Sequence, residues 1–375
     1  MKKASLIISI IIFIISCFIA YDVINRKEEI HFIPTIKEID DGVKSIKFKV
    51  DTFYLAIGES EKLNYDIESS KDDYKLTWSS ENEDIVSISD GKIVGVNLGT
   101  SVVTLKSESG KKAEVSVTVT DLIRKPELDD KKKFLPCHAY TEEEAHIIDE
   151  ALRTRVLNKG EGTRAALIET IRFMTLSFKY KVSYFYENGR MHESGVRKAD
   201  GEGRYYHKGL YLSEDKFKDI KVSHKGPAIW GCPLTNLQDH NRYKPGAKMP
   251  NGLDCSGFVT WSLYNSGLDV GDIGAGINDR HKDMSDVGEM HSLTYEYANS
   301  GDYKVGDVIA RWGHTALIAG KDSEYLYIAE SLLKGVRIEK VSYKNPNSSL
   351  YKYYAYINKM DKEYSKNDDY TDMWE

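Results

Sequence analysis

The sequence predicts a multidomain chain: an N-terminal transmembrane helix, an all-β sandwich, then an α+β domain with a central antiparallel sheet. Three observations predict this. Lys2 and Lys3 precede an apolar run from Ala4 to about Ile24, close to the ~20 residues that cross a bilayer. From about 44 to 121, apolar and polar residues alternate with the period of a strand. From 136 to 360, helical stripes come first and strand-like runs follow from about Lys304.

The first run is an export segment. Three readings of it stay open. In the first it is an uncleaved anchor over 1–25 with its positive end inside, because no Ala-x-Ala site closes it. In the second, Ile14-Ile15-Ser16-Cys17 is a lipoprotein signal acting through Cys17. In the third it is a cleaved signal of a secreted protein. All three put the remainder outside the cytoplasm, facing the cell wall if a membrane holds it. Residues 26–43 are polar and read as a stalk.

In 44–121 the alternating runs are Ile46–Val50, Val86–Ile88, Val103–Leu105 and Val115–Val119. The turn signals Asp90-Gly91, Leu98-Gly99-Thr100 and Ser109-Gly110 separate them. Short strands at this spacing make a sandwich, with Trp78 as a core aromatic. The segments Leu76-Thr77-Trp78-Ser79-Ser80, Ile85–Ile88, Gly91–Val96 and Gly99–Leu105 resemble the group 2 bacterial immunoglobulin-like domain. That resemblance implies a spacer or adhesive module on a bacterial surface.

Residues 122–135 read as a charged linker, ending in Asp129-Asp130-Lys131-Lys132-Lys133. A capping-box start at Thr141–Glu144 opens one helix, with Ile147, Ile148, Ala151 and Leu152 as its stripe. A second helix runs from about Thr163 to Phe178, with Leu167, Ile171, Met174 and Phe178 on one side. Residues 179–250 read as long loops, and 361–375 as an acidic tail, disordered or weakly packed.

The stretch Asn251–Val259 carries the first chemical signal. Asp254 can cap a helix, placing Cys255 in its first turn, where free N–H groups and the helix dipole favour a thiolate. A cysteine there is either an activated nucleophile or a buried structural thiol. A nucleophile needs a base and an orienter. If Gly320 pairs with Glu324 across a three-residue turn, His314 faces Glu330 directly, with Ala316–Ile328 and Ile318–Leu326 continuing the face. An imidazole beside a carboxylate supplies both parts. A two-residue turn would shift this register and spoil the pairing.

Asp254-Cys255-Ser256-Gly257-Phe258-Val259, Gly306-Asp307 with Gly313–Ile318, and Pro227-Ala228-Ile229-Trp230-Gly231 together resemble the NlpC-type cell-wall peptidases, a circularly permuted papain-like family. The resemblance implies a papain-like catalytic domain that cleaves peptide bonds of peptidoglycan stems, the bond after D-glutamate among them. Cys255 would be the nucleophile, His314 the base and Glu330 the orienter. The Cys255 N–H would form part of an oxyanion hole, and no cofactor would be needed. An N-acetylmuramoyl-L-alanine amidase of the same fold and a non-catalytic wall-binding adhesin are the alternatives. Ala228 stands where the family has tyrosine, and Glu330 where it has His, Asn or Gln. Trp230, Asp254, Ser256 and Tyr243 are the candidate substrate-binding residues, with Trp230 equally a core residue and Asp254 chiefly a helix start.

Composition excludes other classes. The net charge is −6, without a basic block, which argues against nucleic acid as a partner. The four cysteines form no repeated Cys-x-x-Cys, and the ten histidines no His-Glu-x-x-His, so no metal site is expected. Cys137 and Cys232 remain as a pair able to bond outside the cytoplasm.

Overall fold

Alternation of buried and exposed residues over the first 80 described positions builds nine short strands. In the computed structural model, residues 40–128, 140–185, 209–210, 220–223, 225–237, 244–268 and 287–365 are described, with isolated residues at 21, 135 and 270. β1 (Val43–Phe48) pairs with β4 (Tyr65–Ser69). β2 (Thr52–Leu55), β9 (Lys112–Val119), β8 (Gly99–Ser107) and β5 (Leu76–Ser80) form a four-stranded sheet, in that order. β3 (Ser60–Lys62), β7 (Lys92–Gly95) and β6 (Val86–Ser89) form a third. Their inward residues, among them Phe53, Leu55, Ile93, Leu105 and Val117, make one core. Trp78 lies partly buried at its margin, 5.7 Å from the Phe48 ring.

This β unit is docked on the next element rather than tethered to it. Helix α1 (Glu142–Lys159) starts at the expected capping box of Thr141 and Glu144. Its Arg155 donates two 2.8 Å hydrogen bonds to Glu59, both residues being almost fully buried. Asn158 exchanges hydrogen bonds with Asn64 and Lys62. The expected linker is packed too: Ile123 is buried, and Arg124 donates to the carbonyl of Lys179. Helix α2 (Arg164–Arg172) runs on into one π-helical stretch, Phe173–Ser177. A small sheet of β10 (Ile220–Val222), β11 (Leu234–Asn236) and β12 (Lys248–Met249) precedes helix α3 (Cys255–Asn265).

The last part is a six-stranded antiparallel sheet. Its order is β13 (Glu289–Ser292), β18 (Tyr356–Lys359), β14 (Val308–Arg311), β15 (His314–Lys321), β16 (Tyr325–Leu332), β17 (Gly335–Ser342). One face packs Val308, Leu317 and Ala329 with Phe258 and Val259 of α3. The other packs Ile309, Ala316, Ile318 and Ile328 with Leu350 and Tyr354, from and after the short helix α5 (Ser349–Tyr353); α4 (Tyr295–Ser300) adds Ala298. With both faces covered, these strands read as near-continuous apolar runs.

The fold class differs from the sequence expectation. The described chain is mostly β-sheet and 21% helical, and it shows no papain-like α+β domain. Among the described residues from 40 on, helix is confined to 142–177 and to the 11-residue α3, with α4 and α5 only 6 and 5 residues long. Elsewhere β-branched and aromatic residues between glycine turns pair into sheets. The expected transmembrane helix over 1–25 lies outside the described residues but for Tyr21, and no described helix is long and apolar enough to cross a membrane. The tail is corrected in part. Asp361 pairs with the buried Arg164, and Tyr364 donates a 2.6 Å hydrogen bond to the Gly306 carbonyl.

Candidate active site

The nucleophile candidate sits at the first position of α3. Asp254 is the N-cap, its carboxylate accepting from the Gly257 N–H at 2.6 Å and from the Ser256 hydroxyl at 3.2 Å. The helix is buried over almost all its length, its apolar Phe258, Val259, Trp261 and Leu263 and its polar Ser256, Thr260, Ser262 and Asn265 alike. Cys255 is consequently only 4% exposed. Burial, then the Asp254 charge, push its thiol up to about 11, against the pull of the N–H groups of Thr315, Ser256 and Cys255 itself. The expected pre-formed thiolate is thus overturned: desolvation outweighs the helix terminus.

The base candidate lies on the strand that this sulfur touches. The turn of the β15–β16 hairpin has two residues, Ser323 and Glu324, because the Asp322 N–H bonds the Tyr325 carbonyl. Asp322 also accepts from the Glu324 and Tyr325 N–H groups. Such a turn alone would put His314 and Glu330 on opposite faces. A β-bulge between Ile318 and Gly320 inserts Ala319 and restores the alternation. Ile318 then pairs with Ile328 instead of Leu326, a slip of two residues that preserves the face. His314 and Glu330 become diagonal rather than direct neighbours, and their side chains still meet, Nε2 to Oε2 at 2.8 Å.

Glu330 is the best-anchored group here. Besides His314, it accepts from the Tyr354 hydroxyl at 2.7 Å and from Arg337 at 2.7 and 3.0 Å. Burial pushes its carboxyl up, but the hydrogen bonds of His314, Tyr354 and Arg337 outweigh it and hold the group at about 2. The Tyr354 hydroxyl is itself shifted far upward by burial and by the Glu330 charge. Sequence reasoning missed both supports. Arg337 is the direct cross-strand partner of Glu330 on β17, so extending the ladder one hairpin further would have found it. Tyr354 comes from beyond α5 and leaves no local signal.

The strands open where the site lies. The β15–β16 ladder ends at Leu317 and Ala329, and beyond it the Thr315 amide faces the Cys255 sulfur. Ser331 in the same gap donates a 2.6 Å hydrogen bond to the Leu253 carbonyl. Cys255 thus approaches β15 from the α3 side, whereas His314 and Glu330 project from the opposite face, with Ala316, Ile318 and Ile328. No described hydrogen bond joins the thiol to the imidazole; with Nε2 on Glu330, Nδ1 is the ring nitrogen left for another partner.

Of the other candidates, Asp254 and Ser256 serve the helix start. Trp230 is fully buried in the main core and bonds the Leu210 carbonyl through its backbone, so it packs rather than lining a cleft. Tyr243 lies outside the described residues. Cys232 is disulfide-bonded; Cys137, its expected partner, also lies outside them. Among the described residues, no group of three or more His, Cys, Asp or Glu side chains is arranged to hold a metal ion.

No family model matches the chain, and no curated protein matches it. Among solved structures it is similar to domains 4 and 5 of the S-layer protein SbsC, at 20% identity and TM-score 0.19 over 21% of this chain and 52% of that one. It is similar to domains 4–9 of SbsC at 19% identity and TM-score 0.20, over 26% of this chain and 18% of that one. It is also similar to an intimin mutant of EHEC O157:H7 at 11% identity and TM-score 0.17, over 56% and 93%. The chain thus spans about half the length of the first of these structures and under a fifth of the second. At such scores the likenesses carry no argument about function.

Proposed function

We propose that the chain is an extracytoplasmic thiol hydrolase that cleaves peptide bonds in peptidoglycan stem peptides, with Cys255 as nucleophile, His314 as base and Glu330 as its orienter. The observation that supports this most is the His314–Glu330 pair, one residue from the amide that faces the Cys255 sulfur. The disulfide at Cys232 supports an oxidising location. In the reaction the thiol proton passes to His314, whose ring has to turn to the α3 side of β15 to take it, as sulfur adds to the scissile carbonyl. The Cys255 N–H faces the oxyanion. Collapse expels the amine, which takes the proton from His314. Water, deprotonated by His314, then hydrolyses the thioester and frees the thiol. Glu330 stays ionised throughout and stabilises the imidazolium.

The test is digestion of purified sacculi by the full chain and by Cys255→Ala, with mass analysis of the fragments. A free amine on the diamino acid, released by the wild type alone, is the expected result. A free N-terminal alanine would instead identify an amidase. Undiminished release by the variant removes Cys255 as nucleophile. One observation favours a second reading, a non-catalytic wall-binding protein: the thiol is buried, raised to about 11 and not hydrogen-bonded to His314. Binding of the full chain to sacculi without release of any fragment would select it.

A further inference from the structure

A cavity of about 230 Å³ opens beside His314, on the face of the sheet away from α3. Arg311, His314, Glu330, Arg337, Tyr353 and Tyr354 line it. Its volume is below the ~300–1,000 Å³ of small-molecule pockets, so it suits one residue-sized group. Arg311 is the cross-strand partner of His314 across the two-residue turn Trp312-Gly313. Their side chains therefore rise on the same face. Gly313, at φ 74°, makes this tight turn possible without strain.

The charged groups of the cavity wall are mostly committed to one another, with one exception. One Glu330 oxygen takes His314 and Tyr354, and the other takes both Arg337 bonds. The exposed Glu339 oxygen is also on Arg337. Arg311 is exposed, and its described side-chain contact is the ring of Tyr353, 5.6 Å from the guanidinium carbon. Among the described residues no carboxylate is paired with it. A guanidinium offers five donors and no acceptor, so what the cavity lacks is an acceptor of charge and shape matched to that fork. The Tyr353 ring, 55% exposed, offers a flat apolar wall beside it.

We infer that this cavity is a binding site for a carboxylate-bearing residue of a peptide, held by Arg311 and flanked by Tyr353. That the ligand is a peptide rests on the function proposed above, whereas the acceptor site itself does not depend on Cys255 being a nucleophile. Its test uses the full chain carrying Cys255→Ala, so that no probe is turned over. Isothermal titration compares three peptides, each with L and with D second residues: acetyl-Ala-Glu-amide, acetyl-Ala-Gln-amide and acetyl-Ala-Gln with a free C-terminus. A carboxylate form should bind at least about tenfold more tightly than the diamide, the scale of one charge-assisted hydrogen-bond pair. Which carboxylate form does so tells a side-chain acid from a chain terminus. Adding Arg311→Gln should bring that form to within about twofold of the diamide, while Arg311→Lys keeps part of the difference. Equal binding of all three peptides, no measurable binding of either carboxylate form, or discrimination that survives Arg311→Gln would overturn it. Arg311-dependent binding without fragment release from sacculi by the wild type would uphold the site and reject the hydrolase.

Discussion

Replacing Glu330 by Gln is the sharpest probe of the site, because three side chains donate to that one carboxylate. Glutamine keeps the shape but removes the charge, and its amide N–H group faces donors. The carboxyl is lowered from an ordinary 4.5 to about 2, which corresponds to about 3 kcal/mol of folding free energy. The sign follows from the depression. The contribution is complete above the unfolded value near 4.5 and is lost as pH falls through about 2. Wild type and Glu330→Gln should therefore differ by about 3 kcal/mol at pH 7, or ~1 M in urea midpoint at a slope of ~3 kcal/mol/M. The gap should close steadily between pH 4.5 and 2. Unfolding followed by the fluorescence of Trp230 and Trp261, both fully buried, reports it. Comparing the two proteins at each pH cancels the other titrating groups. A gap that stays constant from pH 7 to pH 2, or no gap at pH 7, refutes the reasoning.

Two further outcomes are expected. Without substrate, Cys255 should react with iodoacetamide more slowly at pH 7 than the same thiol in urea, with the rate rising about tenfold per pH unit toward about 11; a plateau below pH 8 would contradict the burial argument. Arg155→Met should destabilise the chain by about 3–5 kcal/mol, because it strands the buried Glu59. The double variant with Glu59→Met should recover most of this in thermal unfolding, and a single variant within about 1 kcal/mol of wild type would show that the pair does not hold the β unit in place.

Legibility followed the range of the interactions. The strand runs in 44–121 and the capping box at Thr141 were legible because periodicity and capping are local. The docking of the β unit was not: Arg155 and Glu59 are 96 residues apart, and neither has a local signature. The thiol was misjudged for a readable reason. The helix terminus at Asp254 favours ionisation, yet Phe258, Val259, Trp261 and Leu263 carry apolar groups well beyond a single face of the helix. That breadth points to a deeply packed helix, and hence to a desolvated sulfur.

The His314–Glu330 pairing shows why a wrong register still led to a correct contact. Side chains alternate with a period of two, so any even slip preserves which residues share a face, and only an odd slip destroys it. The two-residue turn at Ser323-Glu324 introduces an odd slip, and the extra residue Ala319 cancels it. Were Ala319 instead paired with Ile328 in an unbroken ladder behind the same two-residue turn, His314 and Glu330 would fall on opposite faces. The bulge is thus a condition for the imidazole–carboxylate contact. It sits five residues from His314, in the sheet interior rather than at the site, where neither motif nor composition marks it.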